Sequence, residues 1–442
     1  MDADTRRPDT VADEAEALRL HARYRGKVQM LPKCPVRGFD DFSLWYSPGV
    51  AAPCRAIQAQ PDAVYSYTNK GNCIAIVSDG SRVLGLGDIG PATGLPVMEG
   101  KALLFKYLGG VDAVPLCRAA SDPKRLVEIV QALEPSFGGI NLEDIAQPKC
   151  FGILAELRET LGIPVWHDDQ QGSAAVVVAG LVNALKVVGK TLGNIRIALI
   201  GIGAANFATY RLLTAIGVDP RAIVACDSVG VLNSGRADIE SRQDTLAPKW
   251  RVCRETGAEQ VRGGIAQAMR GADVCIAFTR SGPGIIRADW VRAMARDAIV
   301  FAAANPVPEI WPWEATEAGA AIVATGRGDL PNQVNNSLIF PGMFRGVLDV
   351  RARAITDEMA IAAARALAEC IDDNELGRQR ILPPMDDPAV APRVAVAAAL
   401  KAQEQGVARE MRSRADLLVS ASAIIRAARE ATAVLMKSGL IA

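Results

Sequence analysis

The stretch Ile195-Arg-Ile-Ala-Leu-Ile-Gly-Ile-Gly-Ala-Ala-Asn206 decides the fold of this 442-residue chain. It predicts a β-strand, a glycine turn and a helix that continues to about Ile216. In this arrangement the backbone approaches a pyrophosphate closely, and the free N–H groups at the helix start face the anion. The stretch therefore indicates a dinucleotide site, or else a tight structural turn of a doubly wound sheet. Its candidate contacts are Gly201, Gly203, Ala204, Ala205 and Asn206.

Apolar runs alternate with helical stretches on both sides of this turn, from about residue 171 to 340. This rhythm is typical of a parallel sheet wrapped by helices, a Rossmann-type arrangement. The runs that we expect to be its strands are 195–200, 222–226, 274–278, 299–303 and 321–324.

The rest of the chain separates into two further zones. The first is mixed α/β: it opens with a helix bounded by Thr10 and Asp13 at its start and by Gly26 at its end, and its short β-like runs include 73–77 and 83–86. The last zone is Ala-rich and helix-periodic, and we expect its helices to pack back on the first zone or on a partner subunit. The predicted fold is α/β, with domains at 1–170, 171–344 and 345–442.

Polar residues follow the predicted strands, and in open parallel sheets the carboxyl edge is where ligands bind. Asn305 is the best candidate among them, although an Asn-Pro pair also simply starts turns. Asp227 ends the second strand, where an acid would bind the ribose hydroxyls. Its charge favours NAD over NADP, but Arg236 could fold back to meet a 2′-phosphate, so NADP stays possible.

Composition excludes several classes of protein. The chain has 49 Lys plus Arg against 49 Asp plus Glu, and this zero net charge argues against nucleic acid or a membrane surface as a partner. With only two histidines, His21 and His167, most zinc sites and nucleophilic triads are excluded. The nine cysteines form no C-x-x-C pair, the first 13 residues carry no signal-like apolar run, and the longest apolar runs, such as 174–182, are too short to span a membrane. We expect a cytoplasmic protein.

Two acidic pairs each follow an apolar run: Glu143-Asp144 and Asp168-Asp169. Paired carboxylates at strand ends, in a chain almost without histidine, indicate an oxygen-ligand site for Mg²⁺ or Mn²⁺. Helix caps or solvated turns are the alternative.

Two groups could move protons. Lys101 lies in Pro96-Val-Met-Glu-Gly-Lys101, at the predicted start of an apolar helix, where burial and the positive helix end would lower its pKa. Tyr46 is a phenol on the turn Tyr46-Ser-Pro-Gly49. Either residue could equally be a solvated or structural one.

Taken together, these segments resemble the malic enzyme family, and specifically its shorter bacterial branch. The resemblance runs from about residue 15 to the end of the chain, with the motifs in the family's order. These are Tyr46-Ser-Pro-Gly-Val50, Leu84-Gly-Leu-Gly-Asp-Ile-Gly90, Pro96-Val-Met-Glu-Gly-Lys101, Phe137-Gly-Gly-Ile-Asn-Leu-Glu-Asp-Ile145, His167-Asp-Asp-Gln170, and Gly328-Asp-Leu-Pro-Asn-Gln-Val-Asn-Asn336 with Phe340-Pro-Gly342.

The resemblance implies oxidative decarboxylation of (S)-malate to pyruvate and CO₂ with reduction of NAD(P)⁺ and a bound Mg²⁺ or Mn²⁺. It also implies a role for each matching residue: Glu143, Asp144 and Asp169 as metal ligands, Lys101 as the base, Asp168 as the carboxylate that positions Lys101, Tyr46 as the acid, and Arg82, Asn305, Asn335 and Asn336 as contacts of the substrate or the nicotinamide end. It further implies a homodimer or higher homo-oligomer.

The chain departs from the family pattern at Gln171, Ser173 and Asn206, where many members have His, Thr and a small residue. The first two flank the metal-binding stretch and could tune substrate choice. We also expect no phosphotransacetylase-like extension, and hence no regulation through one. Two alternatives to malate oxidation remain open: malolactic conversion with retained NAD, and a nucleotide-binding sensor without turnover.

Overall fold

The computed structural model describes residues 14–119, 122–257 and 261–441. Its nine strands form two parallel sheets. They are β1 Cys73–Ser78, β2 Asp112–Cys117, β3 Gly139–Leu142, β4 Val165–His167, β5 Ile197–Ile200, β6 Ile223–Cys226, β7 Val274–Ala277, β8 Ala298–Ala302 and β9 Ala320–Thr325.

Helices surround both sheets and make up the end of the chain. In chain order they are α1 Glu14–Tyr24, α2 Phe42–Trp45, α3 Ala51–Ala59, α4 Val64–Tyr67, α5 Pro91–Gly109, α6 Pro123–Leu133, α7 Lys149–Thr160, α8 Ser173–Val188, α9 Ala204–Ala215, α10 Ala237–Glu240, α11 Ala247–Glu255, α12 Ile265–Met269, α13 Ala288–Arg292, α14 Pro312–Glu317, α15 Phe340–Asp349, α16 Asp357–Ala368, α17 Val390–Glu404 and α18 Arg414–Lys437.

The second sheet has the order β6-β5-β7-β8-β9 and confirms the Rossmann-type prediction. All five predicted strands form, each within two residues of the predicted bounds. Their side chains are almost entirely buried because helices cover both faces, which is why the strands appear in the sequence as continuous apolar runs.

The first sheet has the order β2-β1-β3-β4 and is also parallel. One expected strand is wrong: residues 83–86 form a tight turn closed by an isolated bridge between Val83 and Gly87, and Leu84 lies there at a φ of 47°. Leucine and glycine alternate in this stretch with the two-residue period of a strand, but the glycines are there because the turn needs them. Helix α1 ends before Gly26 (φ 118°) as predicted, while Thr10 and Asp13 lie outside the described residues.

The C-terminal helices pack back on the molecule, as expected. Helix α15 contacts α5 and α17, and α16 contacts α8. Within the described residues, the stretch Asp168–Val188 is the one helical segment long and apolar enough by composition to cross a membrane, and 72% of its apolar window is buried inside the fold. That burial is what a core helix shows. The domain boundaries at 170 and 344 stay predictions.

Candidate active site

Both sheets present the loops at the carboxyl ends of their strands to one cavity of about 720 Å³. Its walls come from the segments after β1, β3 and β4 on one side and after β5, β7, β8 and β9 on the other. Gly85 shows how closely the two sides meet, because a Cβ there would lie 2.9 Å from the carbonyl oxygen of Asn305. This is the edge at which parallel α/β sheets bind ligands.

Most of the residues singled out from the sequence line this cavity. They are Arg82, Lys101, Glu143, Asp144, Asp169, Gly203, Ala204, Ala205, Asn305, Asn335 and Asn336. Five do not appear in the lining: Tyr46, Asp168, Gly201, Asn206 and Asp227.

Lys101 is buried in the middle of α5, not at the start of a helix as the sequence suggested. The helix begins ten residues earlier, at Pro91, a residue that favours the first turn. Lys101 is therefore too far from the free N–H groups at the helix start to feel their positive charge, and its ammonium contacts other side chains instead. It is ion-paired with Asp168, lies 2.9 Å from Glu143 Oε1, and stands 4.2 Å from the centre of the Phe340 ring.

The expected fall of the Lys101 pKa is also wrong in direction. Burial alone would lower this pKa, but the charges of Asp168 and Glu143 outweigh burial and raise it above the ordinary value of a lysine. Neither partner is near in sequence, so the local motif gave no sign of them.

Asp168 is fully buried and opens a π-helical turn, Asp168–Gly172, between β4 and α8. It accepts a hydrogen bond of 2.8 Å from Trp166 Nε1 as well as one from Lys101. Gly172 closes the turn, where a Cβ would overlap Asp168 Oδ1. These contacts fix the carboxylate, so Asp168 holds Lys101 in place from behind the cavity wall.

Glu143, Asp144 and Asp169 form a carboxylate cluster in which one oxygen of each lies within 4.8 Å of the others. Asp144 Oδ2 is buried and has no hydrogen-bond partner, while the Asp144 N–H donates to Asp169 Oδ2 at 2.8 Å. An unpartnered buried carboxylate oxygen among like charges is costly unless a cation is bound. The residues therefore fit a hard divalent cation such as Mg²⁺ or Mn²⁺.

The pKa values of two of these acids reflect the same crowding. Burial, followed by the charge of Asp169, raises the pKa of Asp144 to about 8. Burial also raises the pKa of Glu143 well above its ordinary value, although Lys101 opposes this. A bound cation would offset the repulsion between these carboxylates and stabilise their ionised forms.

The glycine turn lies between β5 and α9, as predicted. Gly201 has a φ of 83°, and a Cβ there would overlap the carbonyl oxygen of Phe278, so only glycine fits. Gly203, Ala204 and Ala205 line the cavity at the start of α9. Asn206 instead is fully buried, and its amide donates to the carbonyls of Ile200 and Ile276. Its side chain ties β5 to β7 beneath the turn.

Asp227 follows β6, but its carboxylate is already paired. Arg236 donates to both oxygens, at 3.0 and 3.2 Å, and Lys249 lies 3.2 Å from Oδ2. Burial opposes ionisation here, yet the bonds from Arg236 hold the pKa of Asp227 below its ordinary value. Arg236 is also paired with Asp238, so the position next to the expected ribose carries two cations and two carboxylates.

Glu309 supports two loops of the cavity from behind, and the sequence reasoning missed it. It is fully buried, accepts from the backbone N–H of Thr279 at 2.8 Å and of Ala304 at 3.1 Å, and so joins the loops after β7 and β8. Burial raises its pKa to about 7, and those N–H groups partly offset the effect. A glutamate four residues after Asn305 was the only local signal.

Three asparagines line the cavity, and the side chain of one of them, Asn335, holds a loop in place. Asn335 donates to the carbonyl of Gly326 at 3.1 Å and accepts from Ser337 N at 2.9 Å. Asn336 and Asn305 both line the cavity, and a Cβ at Gly326 would lie 2.6 Å from Asn305 Nδ2. Tyr46, in contrast, lies on the surface with 72% of its side chain exposed.

The chain is similar to known proteins over most of its length. The family model "Malic enzyme, NAD binding domain" matches residues 170–403, and "Malic enzyme, N-terminal domain" matches residues 25–121. The Bifunctional malic/malolactic enzyme of Bacillus subtilis is 50% identical over 394 residues, which cover 89% of this chain and 94% of that protein.

Two further relatives carry different cofactor names. The NAD-dependent malic enzyme of Geobacillus stearothermophilus is 48% identical, covering 87% of this chain and 78% of its own. The NADP-dependent malic enzyme of Escherichia coli is 43% identical, and the match covers 87% of this chain and 51% of that protein.

Solved structures of malic enzymes have the same fold. The Entamoeba histolytica malic enzyme superposes with a TM-score of 0.93 and 46% identity, covering 98% of this chain and 93% of that one. The Pyrococcus horikoshii malic enzyme gives 0.91 and 50%, covering 96% and 98%.

Proposed function

The chain belongs to the malic enzyme family, and on that premise we propose that it converts (S)-malate to pyruvate and CO₂ while reducing NAD(P)⁺, with a divalent cation held by Glu143, Asp144 and Asp169. One observation carries the proposal. Lys101, paired with Asp168 and Glu143, lines the same cavity as the carboxylate cluster and the helix start at Gly203.

The chain's own residues supply the proton transfers. Asp168 and Glu143 hold Lys101 as an ammonium, so Lys101 must first lose a proton to act as a base. Its neutral Nζ then accepts the proton of the malate hydroxyl as the hydride leaves C2, and Asp168 positions that nitrogen. The bond between C3 and the neighbouring carboxylate then breaks, CO₂ leaves, and its bonding electrons remain on the enolate. We assign the proton that C3 takes up to Tyr46, which does not line the cavity of its own chain and so would have to reach C3 from a neighbouring subunit.

Substrate binding falls to the polar residues of the walls. Arg82 lines the cavity beside Asp144, and its guanidinium suits a substrate carboxylate. Asn305, Asn335 and Asn336 lie on the cofactor side and suit the substrate or the nicotinamide amide. Bound NAD(P)⁺ would accept the hydride, and a bound divalent cation would stabilise negative charge on the substrate oxygen as a Lewis acid.

We propose NAD as the preferred cofactor, with NADP as a weaker one. The support is Asp227, whose negative charge would repel a 2′-phosphate. Arg236 and Lys249 reduce that repulsion because both already pair with the carboxylate.

The decisive experiment incubates the purified chain with malate, Mn²⁺ and NAD⁺ and follows reduced nicotinamide by absorbance together with pyruvate. We expect both products in equal amounts, and no turnover after the metal is chelated. Absence of turnover with either NAD⁺ or NADP⁺ would favour a nucleotide-binding sensor and refute the proposal.

Malolactic conversion is the second candidate, because one relative is named a bifunctional malic/malolactic enzyme. In that reaction the reduced nicotinamide stays bound and is consumed again, so lactate leaves without net reduction of the cofactor. Lactate without released reduced cofactor in the same assay would identify it.

Assembly and location are also proposals. We propose a homodimer or higher homo-oligomer, supported by exposed apolar side chains near both ends of the chain, such as Phe39, Trp45 and Met436. A cytoplasmic location is supported by the nine free cysteines.

A further inference from the structure

Glu309 is a buried acid that the proposed chemistry does not use. It is fully buried in the loop between β8 and α14, and it belongs neither to the carboxylate cluster nor to the contacts of Lys101. Among the described residues no lysine or arginine forms an ion pair with it, and its hydrogen-bond donors belong to Thr279 and Ala304. A buried charge without a cation is costly for the fold, and an apolar side chain of similar size would avoid that cost. The position therefore points to a role in the site.

The Glu309 carboxylate serves two loops at once. Its Oε1 accepts from the N–H of Thr279 at 2.8 Å and from the Thr279 hydroxyl at 3.0 Å, while Oε2 accepts from the N–H of Ala304 at 3.1 Å. Thr279 follows β7, and Ala304 follows β8. Both N–H groups need an acceptor, and an ionised carboxylate, unlike an amide, offers one at each of its two oxygens. A glutamine of the same length would turn an NH₂ group toward one of the two loops.

A second contact joins the same two loops farther from the strands. Ser281 Oγ accepts from the N–H of Val307 at 3.0 Å. Residues 279–281 and 304–307, called the paired loops below, are therefore linked at two points. The link through Glu309 is the buried one, whereas Ser281 and Val307 are partly exposed.

The paired loops form the cofactor side of the cavity, where Thr279, Ala304 and Asn305 line it. The sheet order β6-β5-β7-β8-β9 puts the glycine turn, which follows β5, between Asp227 at the end of β6 and the paired loops at the ends of β7 and β8. A dinucleotide with its pyrophosphate at that turn and its adenosine ribose at Asp227 therefore extends its nicotinamide end over the paired loops.

The paired loops also meet the substrate side of the cavity. A Cβ at Gly85 would lie 2.8 Å from Ser281 Cβ and 2.9 Å from the carbonyl oxygen of Asn305. Arg82, the proposed contact of a substrate carboxylate, precedes Gly85 by three residues and lines the same cavity. The position of the paired loops thus sets how the nicotinamide end lies relative to the wall that would hold malate.

We propose that Glu309 is a positioning residue for hydride transfer, because it holds the paired loops in the arrangement that places the nicotinamide ring against C2 of malate. The inference rests on the proposed function. In that step the C2–H bond breaks, its electron pair moves with the hydride to the nicotinamide ring, and the hydroxyl proton goes to Lys101. Glu309 does not line the cavity, so it acts through Thr279 and Ala304. A misplacement of about 1 Å is enough to slow such a reaction roughly 10²-fold.

The first test measures binding without turnover. Titration calorimetry compares NADH with ADP-ribose, which has the adenosine and both phosphates but no nicotinamide. For Glu309→Gln we expect Kd for NADH to rise about tenfold, as it does when the loops hold the binding arrangement about one tenth of the time. Kd for ADP-ribose should stay at the parental value. Both titrations are made well above the Glu309 pKa of about 7, where the parental carboxyl is ionised.

The second test measures the chemical step with NAD⁺ and malate. Glu309→Gln should lose roughly 10–10²-fold in kcat, while KM for malate stays near the parental value. Malate with deuterium at C2 should give an isotope effect on kcat at least as large as in the parent, because hydride transfer is the step that slows. The matched control is Glu314→Gln, an exposed acid that caps α14, and it should match the parent in both tests.

Glu309→Asp separates position from charge, and it replaces the first variant if Glu309→Gln does not fold. It keeps the negative charge but is one methylene shorter, so it reaches one of the paired loops and not both. We expect the same weakening of NADH binding and the same loss of kcat.

Four outcomes would overturn the inference. They are parental values in Glu309→Asp, which would show that the charge alone matters, parental NADH affinity in Glu309→Gln, an equal loss of NADH and ADP-ribose affinity, and an isotope effect smaller than the parental one. A parental protein that binds NADH but does not turn over malate would refute the proposed function, and this inference with it. The binding results in the Glu309 variants would refute the inference alone.

Discussion

Lys101 Nζ lies 2.9 Å from Glu143 Oε1, so one carboxylate serves both the proposed base and the proposed metal cluster. Together with Asp168, Glu143 keeps the ammonium form of Lys101 stable and its pKa high. If Glu143 binds a cation, its charge stabilises the ammonium form of Lys101 less, and the pKa of Lys101 falls. The two proposed roles are therefore linked through Glu143.

Loss of the base should separate oxidation from decarboxylation. We expect Lys101→Ala to lower kcat for malate by roughly 10²–10⁴, the usual contribution of a general base. Decarboxylation of added oxaloacetate should persist in part, because no hydroxyl has to lose a proton. The control is Lys106→Ala on the same helix, which removes only an ion pair with Asp112 at the surface. Malate turnover within tenfold of the parent would rule out Lys101 as the base.

Loss of one cluster carboxylate should weaken metal binding without affecting the cofactor. Asp169→Asn removes a formal charge from the proposed ligand set. We expect Kd for Mn²⁺ to rise by at least roughly 10–100-fold, which is the usual effect of losing a residue that only holds a metal ligand in place. Titration calorimetry with Mn²⁺ alone measures this. The control Glu128→Gln removes an exposed carboxylate paired with Arg125. Equal Mn²⁺ affinity of parent and Asp169→Asn would remove Asp169 from the ligand set.

Cofactor choice should shift when Asp227 is removed. Asp227→Ala removes the carboxylate that pairs with Lys249 and one of the two that pair with Arg236, so we expect the ratio of kcat/KM with NADP to that with NAD to rise about tenfold, or ~1.4 kcal/mol. Asp238→Ala is the matched control, because it removes the other partner of Arg236 but leaves the Asp227 charge and its ion pairs in place. A parent that uses NADP better than NAD would overturn the proposed preference.

Glu309 should make stability depend on pH. Its pKa is about 7 in the folded protein, against an ordinary value near 4.5, so between these values the folded state binds more protons than the unfolded state. The free energy of unfolding that Glu309 contributes therefore falls as pH rises through this window. Urea unfolding of the parent and of Glu309→Gln should give a difference in stability that changes between pH 4.5 and 7 and is constant above it.

The matched control for this measurement is Glu314→Gln, an exposed acid that caps α14. Its difference from the parent should not follow the same curve. A difference between parent and Glu309→Gln that is independent of pH would show that the Glu309 carboxyl has an ordinary pKa.

The sequence by itself determined the second sheet. Its strands are buried on both faces, so each one is a short apolar run, and the glycine turn after Ile200 needs a residue that tolerates a φ of 83°. The motifs around Lys101, Glu143 and Asp169 could be recognised in the sequence because each is a short continuous stretch that resembles the family pattern, although the residues alone left structural alternatives open. Periodicity failed at Val83, where glycines that serve a turn repeat with the period of a strand.

Only the tertiary structure decided the pKa values of the charged side chains and which side chains lie at the cavity. The pKa of Lys101 depends on Asp168, which lies 67 residues away in the chain. The pKa of Asp227 depends on Arg236 and Lys249, which lie outside the strand and turn that Asp227 follows. Glu309 matters because two loops converge on it, and Tyr46 lies away from the cavity because the segment 14–67 lies outside the core. Electrostatic energies depend on distance in space, and the chain order fixes that distance only for neighbours.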